Sequence, residues 1–142
     1  MISFNFVETK AFKIKRNDLK VNIKKLIEAE KLKVGDVSFV FCSDDYLLEI
    51  NKTHLNHDYY TDIITFDYCE GKIVSGDLFI SIDRVLENSS NISVNFANEL
   101  SRVMFHGVLH LCSYKDKTPE DKKIMTKKED FYLSLLGVDY LV

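Results

Sequence analysis

Two histidines and one aspartate stand at a spacing suited to holding a metal ion. On a helix, His106 and His110 lie one turn apart on the same side, so both imidazoles can reach one ion. Asp116 follows six residues after His110, beyond a segment containing Ser113 that does not continue the helical pattern. That segment can fold back and offer a third ligand. The spacing predicts a site for one divalent metal ion, with zinc as the expected metal.

The same residues show how the site differs from a zinc peptidase. The pattern has the ligand spacing of the long zincin motif, with Asp in the third place. Gly107 stands where a peptidase keeps its general-base Glu, and Ser113 replaces a Gly. A zincin-like peptide hydrolase would therefore need a base from elsewhere. Histidines packed in an apolar core are a further alternative. Cys112 is interpreted as packing, because residues two apart on a helix do not face each other.

Residues 106–116 resemble the signature of the YbeY family. They read His-Gly-Val-Leu-His-Leu-Cys-Ser-Tyr-Lys-Asp, and the usual family form is His-Gly-x-Leu-His-Leu-x-Gly-Tyr-Asp-His. Residues 51–66, ending Thr-Asp-Ile-Ile-Thr-Phe, and residues 76–81, Gly-Asp-Leu-Phe-Ile-Ser, are similar to two further family blocks in the same order. The resemblance implies a bacterial metal-dependent endoribonuclease linked to 16S ribosomal RNA 3′-end maturation and ribosome quality control.

This resemblance sets the expected activity and partners. We expect cleavage of single-stranded RNA, with the 16S rRNA precursor as substrate and the ribosome or small-subunit proteins as further partners. Neither a membrane nor DNA is expected as a partner. Three protein ligands leave a fourth position for water, which is typical of catalytic zinc sites. Water and the ribose 2′-hydroxyl both stay open as nucleophile. A non-catalytic, metal-stabilised ribosome-assembly factor is the main alternative.

Residues 54–62 form a polar and aromatic stretch without period, which predicts a loop at the rim of the site. In the resembling family this loop carries an Arg thought to be catalytic, and the matching residue here is Leu55. His54 and His57 are candidate catalytic replacements, and aromatic faces in the loop suit base stacking. Residues 115–128 hold six lysines and three acids, which indicates either a phosphate-facing patch or a solvated helix face. The predicted substrate-binding residues are His54, His57, Tyr59, Lys115 and Lys117.

The predicted fold is one α+β domain over residues 1–142, with about four strands in one sheet and helices packed against it. Strands are predicted at 2–6, 37–41, 63–66 and 77–82 from their apolar alternation and turn residues. Helices are predicted after N-caps at Asn17, Ser43 and Thr118, at 83–88, and at 95–112. The helix at 95–112 is apolar nearly all round, so it is expected to be the buried central helix that carries the metal motif.

Two packing expectations follow from these helices. Gly107, in the interior of the central helix, is interpreted as leaving room for substrate beside the metal, with close approach of another backbone as the alternative. The buried face of the last helix is predicted to hold six apolar residues. These are Ile124, Met125, Phe131, Tyr132, Leu135 and Leu136.

Composition excludes several other classes of protein. At 142 residues and 46% hydrophobic, the chain is long enough for one domain with a core and too short to expect two. The net charge of −3 argues against a global positive field, so any RNA contact must be local. Three widely spaced cysteines indicate reduced thiols. No apolar run reaches the roughly 20 residues of a membrane span, and we expect a cytoplasmic protein.

Overall fold

The computed structural model describes residues 1–137, so residues 138–142 of the predicted domain lie outside the described part. The described chain is an α+β domain of four strands and five helices. The strands are β1 (Ile2–Val7), β2 (Lys33–Cys42), β3 (Ile63–Asp67) and β4 (Ile73–Ser81). The helices are α1 (Arg16–Ala29), α2 (Asp44–Leu55), α3 (Ile82–Asn91), α4 (Phe96–Leu111) and α5 (Pro119–Leu136).

The four strands form one mixed sheet in the order β1-β2-β4-β3, which confirms the predicted number of strands. Strands β1, β2 and β4 are parallel, and β3 pairs antiparallel with β4. The backbone N–H of Ser81, at the end of β4, donates to the carbonyl of Asp62 at 2.9 Å. The start of β3 is thereby held at the end of β4, and the loop that precedes β3 lies at that end of the sheet.

Alternation along the strands separates a large core from a small one. Phe39 and Phe41 in β2 and Leu78 and Ile80 in β4 are fully buried in the large core. On the opposite face, residues of α2 pack with the sheet in a small cluster around Leu47. Period-two alternation is the reason that one strand serves both faces.

Helix α4 lies in the large core and confirms the predicted central helix. Its buried residues occupy most of its circumference, and it contacts α1, α3, α5, β3 and β4. Gly107 faces the sheet, where an added Cβ would lie 2.3 Å from Leu78 Cδ2 and 2.6 Å from Ile63 Cδ1. The interpretation that Gly107 leaves room for substrate is therefore wrong. The missing side chain lets the helix pack closely on β3 and β4.

Two of the three predicted caps are confirmed. Ser43 Oγ accepts from the backbone N–H of Tyr46 at 3.1 Å. Thr118 forms a reciprocal capping box with Asp121. The prediction for Asn17 is wrong, because α1 already begins at Arg16. The N-cap residue is Lys15, and its side chain makes no capping hydrogen bond.

Half of the predicted buried face of α5 is also wrong. Met125 and Tyr132 are buried, but Ile124, Phe131 and Leu135 are 44%, 55% and 61% exposed. The helix carries apolar residues on two sides, and the side that packs is the one that contains a buried carboxylate, Glu129.

Candidate metal centre

Helix α4 and the turn that follows it bring the predicted ligands together. His106 and His110 lie in the last turns of α4, and Asp116 lies in the turn before α5. The chain reverses at Ser113, whose φ of +80° is left-handed. The backbone N–H of Ser113 donates to the carbonyl of His110, and that of Tyr114 to the carbonyl of Leu109, each at 3.0 Å. The capping box of α5 begins at Thr118, two residues after Asp116, so the turn that carries Asp116 is fixed at both ends.

The three candidate donor atoms form a nearly equilateral triangle. His106 Nε2 and His110 Nε2 are 3.0 Å apart, and Asp116 Oδ2 lies 3.2 Å and 3.3 Å from them. Tetrahedral zinc with bonds of about 2.0 Å separates neighbouring ligand atoms by about 3.3 Å. The triangle therefore has the dimensions of one face of such a site, and the residues fit a metal ion of this size.

The other ring nitrogens determine which atoms point to the centre of the triangle. His110 Nδ1 lies 2.9 Å from the carbonyl oxygen of Tyr114, and His106 Nδ1 lies 2.6 Å from Glu129 Oε2. Both oxygens accept hydrogen bonds, so both Nδ1 atoms carry the hydrogen and each neutral ring has its lone pair on Nε2. Two lone pairs and a carboxylate oxygen therefore face one another. Such an arrangement is stable only with a cation or a proton between them.

The electrostatics of His106 reflect this crowding of negative charge. Burial lowers the pKa of His106, but the hydrogen bond that its ring donates to Glu129 and the charges of Glu129, Asp116 and Asp62 raise the pKa by more, so the net pKa is raised. Burial raises the pKa of Asp62, which faces the same region. A divalent ion in the triangle would satisfy this negative potential in place of a proton.

Sequence analysis missed Glu129, the hydrogen-bond partner of His106. Its side chain is 9% exposed, and its second oxygen accepts from Arg102 Nη1 at 2.8 Å. Carboxylates that hold the distal nitrogen of a ligating histidine fix its tautomer and orientation. The only signal of Glu129 in the sequence is its place one turn from both Met125 and Tyr132, on one of the two apolar sides of α5.

The triangle lies in an open cleft of about 590 Å³. Of the predicted substrate-binding residues, His57, Tyr59 and Lys117 line this cleft together with the three ligands. The His57 and Tyr59 rings stack at 5.2 Å, and their polar atoms, Nδ1 and the hydroxyl, are 3.1 Å apart. Leu55 lines the cleft as well, so the side chain at the position that the resemblance assigns to an Arg is apolar.

His54 and Lys115 lie elsewhere. His54 packs edge-on against Phe66, at 5.9 Å between ring centres, in a separate pocket that also contains Tyr46. Lys115 is exposed, and it is absent from the described residues that line the cleft. Of the two candidate catalytic histidines, His57 is the one that lies in the cleft with the ligands.

The fold and the converging histidines and aspartate define an α+β protein with a candidate metal site in an open cleft. The family model described as Endoribonuclease YbeY matches residues 5–137. An Endoribonuclease YbeY from Phocaeicola vulgatus is 45% identical over 138 residues, which cover 97% of this chain and 100% of the relative. One from Flavobacterium psychrophilum is 47% identical and covers 97% and 98%.

A solved structure agrees with these relatives. The solution structure of a Thermotoga maritima protein superposes with a TM-score of 0.70 at 27% identity, covering 96% of this chain and 89% of the other. The chain belongs to the Endoribonuclease YbeY family. None of the helices described within residues 1–137 is long and apolar enough to cross a membrane.

Proposed function

We propose that this protein is a metal-dependent endoribonuclease that cleaves single-stranded RNA and uses one zinc ion. Its place in the cell is the cytoplasm, where it acts on the 16S rRNA precursor in 3′-end maturation and ribosome quality control. Membership of the Endoribonuclease YbeY family and relatives of that name at 45% and 47% identity support the activity. The zinc ion, the rRNA substrate and the ribosomal partners are proposed from the resemblance to the family.

The observation that carries the proposal is the triangle of His106, His110 and Asp116 in an open cleft. A divalent ion held there supplies Lewis-acid chemistry, activating water and polarising a phosphoryl oxygen. Glu129 and the Tyr114 carbonyl keep the two imidazoles in the tautomer that binds. The open face of the triangle is the side from which a phosphodiester reaches the site.

Contacts to the RNA come from the rim of the cleft. His57 and Lys117 are the basic side chains that line it and can contact a phosphate in place of the family Arg. Tyr59, 56% exposed beside His57, offers an aromatic face for a base. Because the net charge of the chain is −3, these local contacts rather than a global field hold the strand.

Cleavage of a labelled single-stranded RNA tests the function. Wild-type protein should cleave it, a chelator should abolish cleavage, and added zinc should restore it. His106→Ala should be inactive at every zinc concentration, while His54→Ala, a histidine outside the cleft, should cleave normally. The product ends then separate the nucleophiles, because attack by the 2′-hydroxyl leaves a cyclic phosphate and attack by water does not. Single-stranded DNA of the same sequence should remain uncut.

A non-catalytic assembly factor is the second candidate, and Leu55 favours it, because an apolar residue lines the cleft where the family Arg is expected. That protein would bind RNA and metal but leave the RNA intact. Turnover of a peptide instead of RNA would favour the peptide hydrolase. Gly107 cannot supply the base for that reaction, since glycine has no side chain, and Leu78 fills the space beside it.

A further inference from the structure

We propose that Glu30, remote from the cleft, is a positioning residue for the metal site and acts through Tyr114. The inference rests on the proposed metal-dependent function. Glu30 is the C-cap residue of α1, and its side chain is only 10% exposed. It is more than 70 residues away in sequence from either histidine, and no spacing rule connects it with them.

Three donors converge on the Glu30 carboxylate. The Tyr114 hydroxyl donates to Oε1 at 2.5 Å, and Oε2 accepts from the Tyr132 hydroxyl and from Lys128 Nζ, the latter at 3.1 Å. Burial raises the pKa of Glu30, but these hydrogen bonds outweigh it and lower the net value. A buried, ionised carboxylate with three donors is a rigid anchor, because each partner is costly to lose.

Tyr114 connects this anchor with the ligands. Its ring is held by Glu30, with Lys128 Nζ 5.5 Å from the ring centre, while its carbonyl accepts from His110 Nδ1 at 2.9 Å. It also lies two residues before Asp116. Fixing the ring therefore fixes the peptide that selects the His110 tautomer, and it fixes the start of the segment that carries Asp116.

The three donors to Glu30 differ in what else they contact. Tyr132 and Lys128 are contributed by α5, and each donates a hydrogen bond to Glu30 Oε2. Among the hydrogen bonds of residues 1–137, Tyr114 is the one of the three donors that also bonds to a ligand. The two tyrosines thus provide a matched pair, in which one hydroxyl leads to the metal site and the other only to the fold.

Two measurements test the proposal. In the metal-free protein at mildly alkaline pH, ¹⁵N correlation spectra of the imidazoles should show His110 as the Nδ1–H tautomer. Glu30→Gln and Tyr114→Phe should convert it to a mixture. Titration with Co²⁺ should show roughly 10-fold weaker binding in both variants, the effect typical of a lost outer partner of a ligand, with an altered visible spectrum. Combining the two substitutions should add little, because both act along one path.

The controls keep the test independent of folding. Tyr132→Phe should lower stability but leave the His110 tautomer and the Co²⁺ affinity unchanged. Glu28→Gln, on the exposed side of α1 where Glu28 pairs with Lys24 at 4.0 Å, should change neither. Wild-type Co²⁺ affinity and tautomer in Tyr114→Phe would overturn the proposal, as would equal losses in Tyr132→Phe. Absence of Co²⁺ binding by the wild type would instead contradict the proposed function, while an unaltered tautomer in the variants would still overturn the role of Glu30.

Discussion

Ser113 is the residue that turns the chain from α4 toward Asp116. Its φ of +80° costs a residue with a Cβ about 1–2 kcal/mol, and the family resemblance places Gly there. Ser113→Gly should therefore raise the free energy of unfolding by about 0.5–1 kcal/mol, since the greater freedom of Gly in the unfolded chain offsets part of the gain. Urea unfolding of the metal-free protein measures this, and a decrease in stability would show that the serine is not strained.

His106 determines how metal binding depends on pH. Its pKa is raised above the ordinary value of about 6.5, and a proton on the ring excludes a metal ion. Metal affinity should thus be full above the raised pKa and fall as the pH falls through it. Glu129→Gln removes a cause of the raised pKa, so the midpoint of this fall should move to lower pH. Zinc titrations at several pH values test this, and an unmoved midpoint would contradict it.

Residue types and spacing were sufficient to predict which side chains form the triangle. The separation of His106 and His110 by four positions fixes their common face on any helix, and Asp116 follows a segment that cannot continue the helix. Glu129 and Glu30 could not be predicted in this way. Their contacts form between elements distant in sequence, and only tertiary packing brings α5 and α1 to these positions.

At the scale of elements, the loop between α2 and β3 forms the rim of the cleft. Stacking of a base on an aromatic ring contributes about 1–3 kcal/mol. Tyr59→Ala and His57→Ala should each weaken binding of single-stranded RNA by about 5- to 150-fold, with little loss of stability because both side chains are exposed. His54→Ala, in the last turn of α2 and outside the cleft, is the control. Fluorescence anisotropy measures the affinities, and three equal values would show that the loop does not contact RNA.

The N-terminus of α5 should affect the metal site, because its capping box begins two residues after Asp116. Thr118→Ala should cost about 1 kcal/mol of stability and also lower zinc affinity. Ser43→Ala removes an equivalent cap from α2 and should cost about the same stability without changing zinc affinity. Thermal unfolding and zinc titration of both variants provide the comparison. Equal zinc affinities would mean that the cap does not hold the turn.

The buried side of α5 could not be predicted from the sequence pattern. Ile124, Phe131 and Leu135 form an apolar stripe as regular as the one that is buried, so hydrophobic periodicity alone could not choose between them. The buried side includes Glu129, which scores as polar although its bonds to His106 and Arg102 satisfy it. A buried carboxylate that is satisfied by hydrogen bonds therefore makes the packed face of a helix look like its solvent face.

For the whole molecule, the sequence predicted the four strands and the central α4, because long apolar patterns specify elements well. It did not predict the order β1-β2-β4-β3, since strand pairing depends on which surfaces cover one another. The antiparallel edge strand β3 determines where the rim loop lies. It brings the rim loop to the end of β4 beside α4, where His106 and His110 lie.

Whether one bound zinc ion drives cleavage is tested most directly by titrating metal-free protein with zinc and measuring RNA cleavage and bound metal on the same samples. Cleavage should rise in proportion to zinc and reach a plateau at one equivalent per chain. His106→Ala should bind no zinc at this site and remain inactive throughout. Cleavage by the metal-free protein, or by His106→Ala at the wild-type rate, would show that cleavage does not depend on a metal ion at this site.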